Sequence, residues 1–295
     1  MQLKLDPLKV VLGVAAGWVI VVILGGVGQL YAHKIAPRYE KQFVEEHRLW
    51  EVREQAAAGD PAAVERHKQL ENQRQQIRDP RGLVSLFNVD GEARIPALYQ
   101  TLTLLALGIL LWVLATHKKR QGDSLTLYWR VLSIGFLYLA VDEACGIHEH
   151  FYFFSGQSES QRQARGFFYY SWTLTALIII GVVGLVFLRF LLRIPRRMAI
   201  MMIVAGGCYV MGAVGLEMIA GKYLSRGGEF GLSMSLLHII EETLEMAGLL
   251  VFMLALLRHA GEQGIGVQFA VRESLQTTAP QAGRLTDRVP VEATI

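Results

Sequence analysis

Six long stretches of mainly apolar residues follow one another along the 295-residue chain. A helix needs about 20 such residues to cross the hydrocarbon layer of a bilayer, and each stretch has roughly that length. The stretches occupy residues 10–31, 95–116, 127–148, 168–192, 198–220 and 234–257. This pattern predicts an all-α fold, a polytopic membrane helix bundle with six transmembrane helices.

One long polar segment separates the first two stretches. It divides the chain into a first transmembrane helix at 1–32, an extracytoplasmic helical hairpin at 33–94, a five-helix membrane core at 95–258 and a disordered cytoplasmic tail at 259–295. Within the second part, Gly59, Asp60 and Pro61 predict a tight turn between two helices at 38–79. We interpret this hairpin as a solvated pair of helices or as a docking arm for a protein partner.

The composition agrees with a membrane protein that has parts outside the bilayer. Apolar residues make up 52% of the chain and charged residues 19%, which is too apolar for an ordinary soluble domain. Basic residues cluster at one set of helix ends, at 118–120, Arg193, Arg196, Arg197 and Arg258. By the positive-inside rule these ends are cytoplasmic. We therefore predict a multi-pass protein of the cell inner membrane, surrounded by the lipid bilayer, with both termini cytoplasmic.

Ionisable residues interrupt three of the apolar stretches. The sixth stretch carries its acids and one histidine within an arc of about 100° on one helical face. With a rise of about 1.5 Å per residue, the acids of all three stretches fall in the outer half of the bilayer. On the third stretch, Glu143 and His150 are expected to point away from the shared face. The residues expected to converge are Asp142, His148, Glu149, Glu217, His238, Glu241, Glu242 and Glu245.

Carboxylates clustered in a bilayer need protons, basic partners or a bound cation. Inward-facing glutamate and histidine at helical spacing are the ligand types of di-iron and di-manganese carboxylate bundles, and a zinc hydrolase site is a close alternative. We therefore predict that the eight converging residues bind a divalent metal: iron, manganese or zinc. The sequence does not identify a catalytic residue or an oligomeric state.

The functional hypothesis is a metal-dependent membrane oxidoreductase or hydrolase that acts on a hydrophobic or lipid-like substrate. A proton- or ion-coupled transporter is left open, as is a non-catalytic membrane subunit with a structural polar network. The chain has no phosphate loop, dinucleotide fingerprint, nucleophile elbow or CxxC motif. Its basic residues are confined to loop edges, so we expect no nucleic-acid partner.

Two motifs carry a resemblance to a known group of proteins. DExxxxHE begins at Asp142, and EExxE begins at Glu241. Together they resemble a family of uncharacterised bacterial multi-span membrane proteins. The resemblance covers about the last two-thirds of the chain. It implies the helix-bundle architecture and no established activity.

Overall fold

The computed structural model describes residues 6–88, 94–147 and 159–265, with no description of the side chains of residues 159–161. Within these ranges the fold is all-α, as predicted, and no β-strand occurs. The helices are α1 (Pro7–Leu30), α2 (Ala36–Glu46), α3 (Leu49–Ala57), α4 (Pro61–Arg78), α5 (Leu83–Leu86), α6 (Ile95–Arg120), α7 (Thr126–Cys145), α8 (Glu159–Ala164), α9 (Trp172–Leu191), α10 (Arg196–Val210), α11 (Glu217–Ser225) and α12 (Leu232–Glu262). π-helical turns, Tyr31–Ile35 and Met211–Leu216, join α1 to α2 and α10 to α11.

Local sequence signals explain several helix ends. The side chain of Asp6 accepts a hydrogen bond from the backbone N–H of Leu8 at 2.9 Å, and Pro7 follows as the first helical residue, which caps α1. α7 ends before Gly146, whose φ of 58° lies in the left-handed region that favours glycine. The helix is therefore shorter than the predicted stretch at 127–148. By contrast, α12 is longer than predicted: it continues to Glu262, whereas the membrane core was predicted to end at residue 258.

The predicted hairpin is present as helices, and its predicted turn is confirmed. Gly59 has a φ of 91°, and the Asp60 side chain accepts a hydrogen bond from the backbone N–H of Ala62 at 3.0 Å. The first arm is divided into α2 and α3, because Arg48 adopts a left-handed conformation with a φ of 46°. The core of the hairpin consists of Leu49, Val52 and Leu70, with Phe43 and Val44 packed against it.

A groove opens along the hairpin. Its volume is about 430 Å³, and Trp50, at its edge, is 48% exposed. The lining mixes apolar residues with both signs of charge, including Arg53, Glu71 and Arg74. A protein partner for the segment at 38–79 stays a prediction.

Four helices of the described residues are long and apolar enough to cross a membrane. They are Pro7–Glu46, whose apolar part is α1, then Ile95–Arg120, Trp172–Leu191 and Arg196–Ser225. By length and composition, the described residues thus contain four candidate spans, and the predicted number of six is wrong. The other two predicted spans correspond to α7 and α12, which contain the acidic clusters, and their charged residues reduce their suitability for lipid.

The qualifying helices expose apolar side chains on the outside of the bundle. On α9, Ile178, Val182 and Leu185 are more than half exposed, and on α1 the same holds for Ile20 and Ile23. A water-soluble monomer rarely exposes contiguous apolar surface on this scale. Apolar side chains outside and carboxylates inside are typical of a helix bundle in a membrane.

The acid-bearing helix α12 lies at the centre of the bundle and packs against α1, α6, α10 and the second π-helical turn. Small residues permit this packing. A Cβ atom added to Gly248 would lie 2.6 Å from the backbone oxygen of Ala205 and 2.9 Å from the backbone nitrogen of Tyr209. The backbones of α10 and α12 are therefore in close contact, as is typical of membrane helices with small interfacial residues.

We predict that Gly248→Ala destabilises the protein by about 1–3 kcal/mol, because the added methyl group forces the backbones of α10 and α12 apart. The measurement is thermal unfolding of the full chain in mild detergent. Gly207→Ala is the matched control on α10, since a Cβ atom there has no neighbour within 4 Å. Equal effects of the two substitutions would contradict the packing described here.

A second prediction concerns the ion pairs of the hairpin, which lie beyond the apolar part of the first span. Glu40 accepts hydrogen bonds from the Nε atoms of Arg78 and Arg74, each at 2.7 Å. The hydrogen bond from Arg78, followed by that from Arg74, holds the pKa of Glu40 below its ordinary value, although partial burial opposes this. Ionised Glu40 thus stabilises the folded hairpin.

Because the pKa is lowered in the folded state, this stabilisation is complete above the ordinary glutamate pKa of about 4.3. It is lost as the pH falls through the lower, folded-state value. We expect Glu40→Gln to reduce stability by about 1 kcal/mol at neutral pH and by less in acid, as measured by chemical unfolding at both pH values. Glu45→Gln is the control, because its pair with Lys41 is exposed and 3.9 Å long. A loss of stability in Glu40→Gln that is the same at both pH values would contradict this account.

Candidate functional site

One face of α12 is polar in its first half. His238, Glu241 and Glu245 follow one another at spacings of three and four residues, which aligns them on that face. Glu241 and Glu245 are each only 7% exposed. Since α12 is central to the bundle, this face is directed at neighbouring helices, and two groups of side chains meet it there.

The first group, termed the outer group, consists of His238, Glu241, Glu217 and Trp172. The Nδ1 atom of His238 lies 3.3 Å from Oε2 of Glu241. The side chain of Glu217 lies within hydrogen-bonding reach of both Glu241 and Trp172, and His238 is close enough to act on it electrostatically. Three helices, α9, α11 and α12, thus contribute to the outer group.

The second group, termed the inner group, consists of Gln100, Glu143, Tyr209 and Glu245. The Nε2 atom of buried Gln100 donates a hydrogen bond to Oε2 of Glu245 at 2.6 Å. Glu143 is the charged residue that acts most strongly on Glu245. Glu245 and Glu143 are in turn the two charges that act most strongly on Tyr209. The helices α6, α7, α10 and α12 therefore converge on this group.

The π-helical turn Met211–Leu216 packs between the two groups. A Cβ atom added to Gly212 in this turn would lie 2.7 Å from Cγ of Glu245 and 2.8 Å from the backbone oxygen of Glu241. π-helical turns often occur at functional sites, where the change in helical repeat redirects the residues that follow. Here the residue that follows is Glu217, which the turn presents to α12.

The charge of the site is predominantly negative. The charged residues that act most strongly on Glu245 are Glu143, Glu241 and Glu217, all of which are acidic. Ionised carboxylates at such close range in an apolar bundle repel one another strongly, so they cannot all be charged at once without a compensating cation. The arrangement can therefore hold protons or bind a cation.

The structure brings some of the predicted site residues together and separates others. Glu217, His238 and Glu241 form the outer group, and Glu245 belongs to the inner group. Asp142 and Glu242 act electrostatically on Tyr209 of the inner group, though less strongly than Glu245 and Glu143 do. His148 and Glu149 lie outside the described residues.

Among the described residues, no group of three or more His, Cys, Asp or Glu is arranged to hold a metal ion. Two of the predicted ligands, His148 and Glu149, lie outside those residues, so the binding of a divalent metal stays a prediction. Cys145 and Cys208 are both free thiols.

Four members of the two groups were not predicted from the sequence. Glu143 was predicted to point away from the site, and Trp172 was not among the predicted site residues. Gln100 and Tyr209 were also absent from the prediction, although a glutamine inside an apolar span is itself a signal of a polar partner within the bundle. Tyr209 offers no comparable signal, because tyrosine is common in helices of every kind.

Comparison with known proteins identifies a family. A family model described as a domain of unknown function, DUF8692, matches residues 62–260, which is more than half of the chain. The chain belongs to the DUF8692 family. No curated protein and no solved structure matches the chain significantly. The DUF8692 match confirms membership of a family without an established activity. The matched residues include both groups of the site. A bacterial origin of that family stays a prediction.

We predict that Gln100→Leu destabilises the protein by about 1–3 kcal/mol, because the buried Glu245 carboxyl loses its hydrogen-bond donor. Thermal unfolding in detergent measures the effect. Thr101→Val is the control on the same helix, since the buried Thr101 hydroxyl has no hydrogen-bond partner and its removal should be neutral or stabilising. If Gln100→Leu were neutral as well, the bond to Glu245 would have no part in stability.

Proposed function

We propose that this protein is a proton-coupled membrane transporter whose buried carboxyl groups hold exchangeable protons. The observation that supports this most directly is that Glu217 and Glu241 lie within hydrogen-bonding reach of each other. Two ionised carboxylates have only acceptor atoms, so a hydrogen bond between them requires one proton. A single proton shared by the pair would also remove part of the mutual repulsion.

The proposal includes the placement of the chain in the inner membrane, with both termini cytoplasmic. Although α7 and α12 do not qualify as spans by composition, they pack among helices that do, namely α6, α10 and α1. We propose that they also lie in the bilayer and direct their acids inwards. Intramembrane carboxyls that face the interior of a bundle are the elements from which pumps and transporters build proton relays.

A metal-dependent membrane enzyme acting on a hydrophobic substrate is the second candidate. One observation favours it: the contact of His238 Nδ1 with Glu241 resembles the way a carboxylate fixes a histidine that binds metal through its other nitrogen. Iron, manganese or zinc would then need further ligands, for which His148 and Glu149 are candidates by residue type. A non-catalytic subunit with a purely structural polar network is the remaining alternative.

Carbodiimide labelling tests the proposal, because a hydrophobic carbodiimide reacts with protonated carboxyls in an apolar environment. The full chain in mild detergent is treated with dicyclohexylcarbodiimide at neutral pH, and the modified residues are mapped by mass spectrometry. We expect labelling at Glu217 or Glu241, and Glu241→Gln should greatly reduce labelling at Glu217 because the shared proton is lost. Glu65, exposed on α4, is the internal control that should remain unlabelled.

Two outcomes would contradict the proton proposal. The first is an absence of label from every glutamate of the site. The second is stoichiometric iron, manganese or zinc in protein purified without chelator, with a metal content that falls in Glu241→Gln. That second result would establish the metal-dependent alternative.

A further inference from the structure

The side chain of Gln100 presents an oxygen that no described group satisfies. The residue is 0% exposed, and its Nε2 atom donates to Glu245. Its Oε1 atom is buried and has no hydrogen-bond partner. Because both atoms belong to one amide group, this oxygen lies in the same small region as the Glu245 carboxylate. A buried acceptor without a donor calls for an explanation, and a bound ion or water molecule at that position is one.

The charged residues that act most strongly on Glu245 are all acidic, so none of them neutralises its carboxylate. Glu143 approaches from α7, Glu217 from α11, and Glu241 lies one turn before Glu245 on α12 itself. Tyr209 approaches from α10, and Asp142 and Glu242 act on it electrostatically, less strongly than Glu245 does. Glu143 has a further interaction of its own. The inner group thus combines a carboxylate, an amide oxygen and additional negative charge.

We propose that Gln100 Oε1 and the Glu245 carboxylate bind a small monovalent cation, for which Na⁺ is the probe. The proposal deepens the proposed function and rests on it, since it names the cation that the transporter would take together with protons. Carboxylate and carbonyl oxygens are the ligands that hard cations prefer. Membrane transporters bind Na⁺ at such oxygens near discontinuities in their helices, and the π-helical turn at Gly212 is such a discontinuity.

The charge of the two ligands favours a monovalent cation over a divalent one. Gln100 is neutral, so the pair carries the single negative charge of Glu245, which one Na⁺ ion neutralises. A divalent ion would need a second carboxylate as a ligand to be neutralised at the site. Within the described ranges, no three His, Cys, Asp or Glu residues are arranged to provide such a set.

The test is the unfolding temperature of the full chain in mild detergent, followed by tryptophan fluorescence. Choline chloride is replaced by NaCl at constant ionic strength. At a Na⁺ concentration ten times its dissociation constant the site is about 90% occupied, and the unfolding temperature should rise by roughly 2–5 °C. The rise should be absent in Gln100→Leu and in Glu245→Gln. Gln29→Leu, which removes another buried glutamine with a different partner, Asn88, should retain it.

The proposal is overturned if the wild-type unfolding temperature is the same in NaCl and in choline chloride. It is also overturned if Gln100→Leu or Glu245→Gln retains the Na⁺ effect. If either variant fails to fold, the wild-type comparison and the milder Gln100→Asn, which keeps a neutral amide but shortens the side chain and should lose most of the shift, still decide the question. If Glu217 and Glu241 are labelled by carbodiimide but Na⁺ has no effect, the Na⁺ site is contradicted and the proton proposal is retained. If Na⁺ has an effect but no glutamate of the site is labelled, the proton proposal is contradicted instead.

Discussion

The rest of the structure depends on one constraint, which is the burial of several carboxyl groups within an apolar helix bundle. Ionised carboxylates lose most of their hydration there, and desolvation of a single charge costs several kcal/mol after relaxation. Glu241 and Glu245 are nonetheless almost fully buried. Each therefore has a polar neighbour from another helix: Glu217 for the first and Gln100 for the second. The folding of α6, α11 and α12 and the chemistry of the site are thereby coupled.

Close helix packing makes these neighbours available. Gly248 brings α12 against α10, and Gly212 brings the π-helical turn against the backbone between Glu241 and Glu245. A larger residue at either position would move the carboxyls away from their partners. The π-helical turn then presents Glu217 to α12. The same small residues that stabilise the bundle thus position the outer and inner groups, and this is the structural basis of the proposed proton sharing.

Much of the fold could be predicted from sequence because apolar length and capping residues are local signals. Each of the six predicted apolar stretches contains a helix in the described residues, whether or not that helix qualifies as a span. The turn at Gly59 and Asp60 lies where their residue types predict it. The site was harder, because membership depends on which helices meet. With a regular step of 100° per residue, Glu143 was predicted on the face that points away from the site. That regular geometry also does not include the π-helical turn before Glu217. Hydropathy also predicted six spans, whereas four of the described helices are long and apolar enough to cross a membrane.

The central claim, that Glu217 and Glu241 share a proton, is tested most directly by infrared spectroscopy of the full chain. A protonated carboxyl has a carbonyl stretching band that is distinct from the bands of ionised carboxylates and shifts in heavy water. The account predicts this band at neutral pH in the wild-type protein and its loss in Glu241→Gln, with Glu65→Gln as a control that leaves it unchanged. A neutral-pH spectrum in which every carboxyl is ionised would contradict the account.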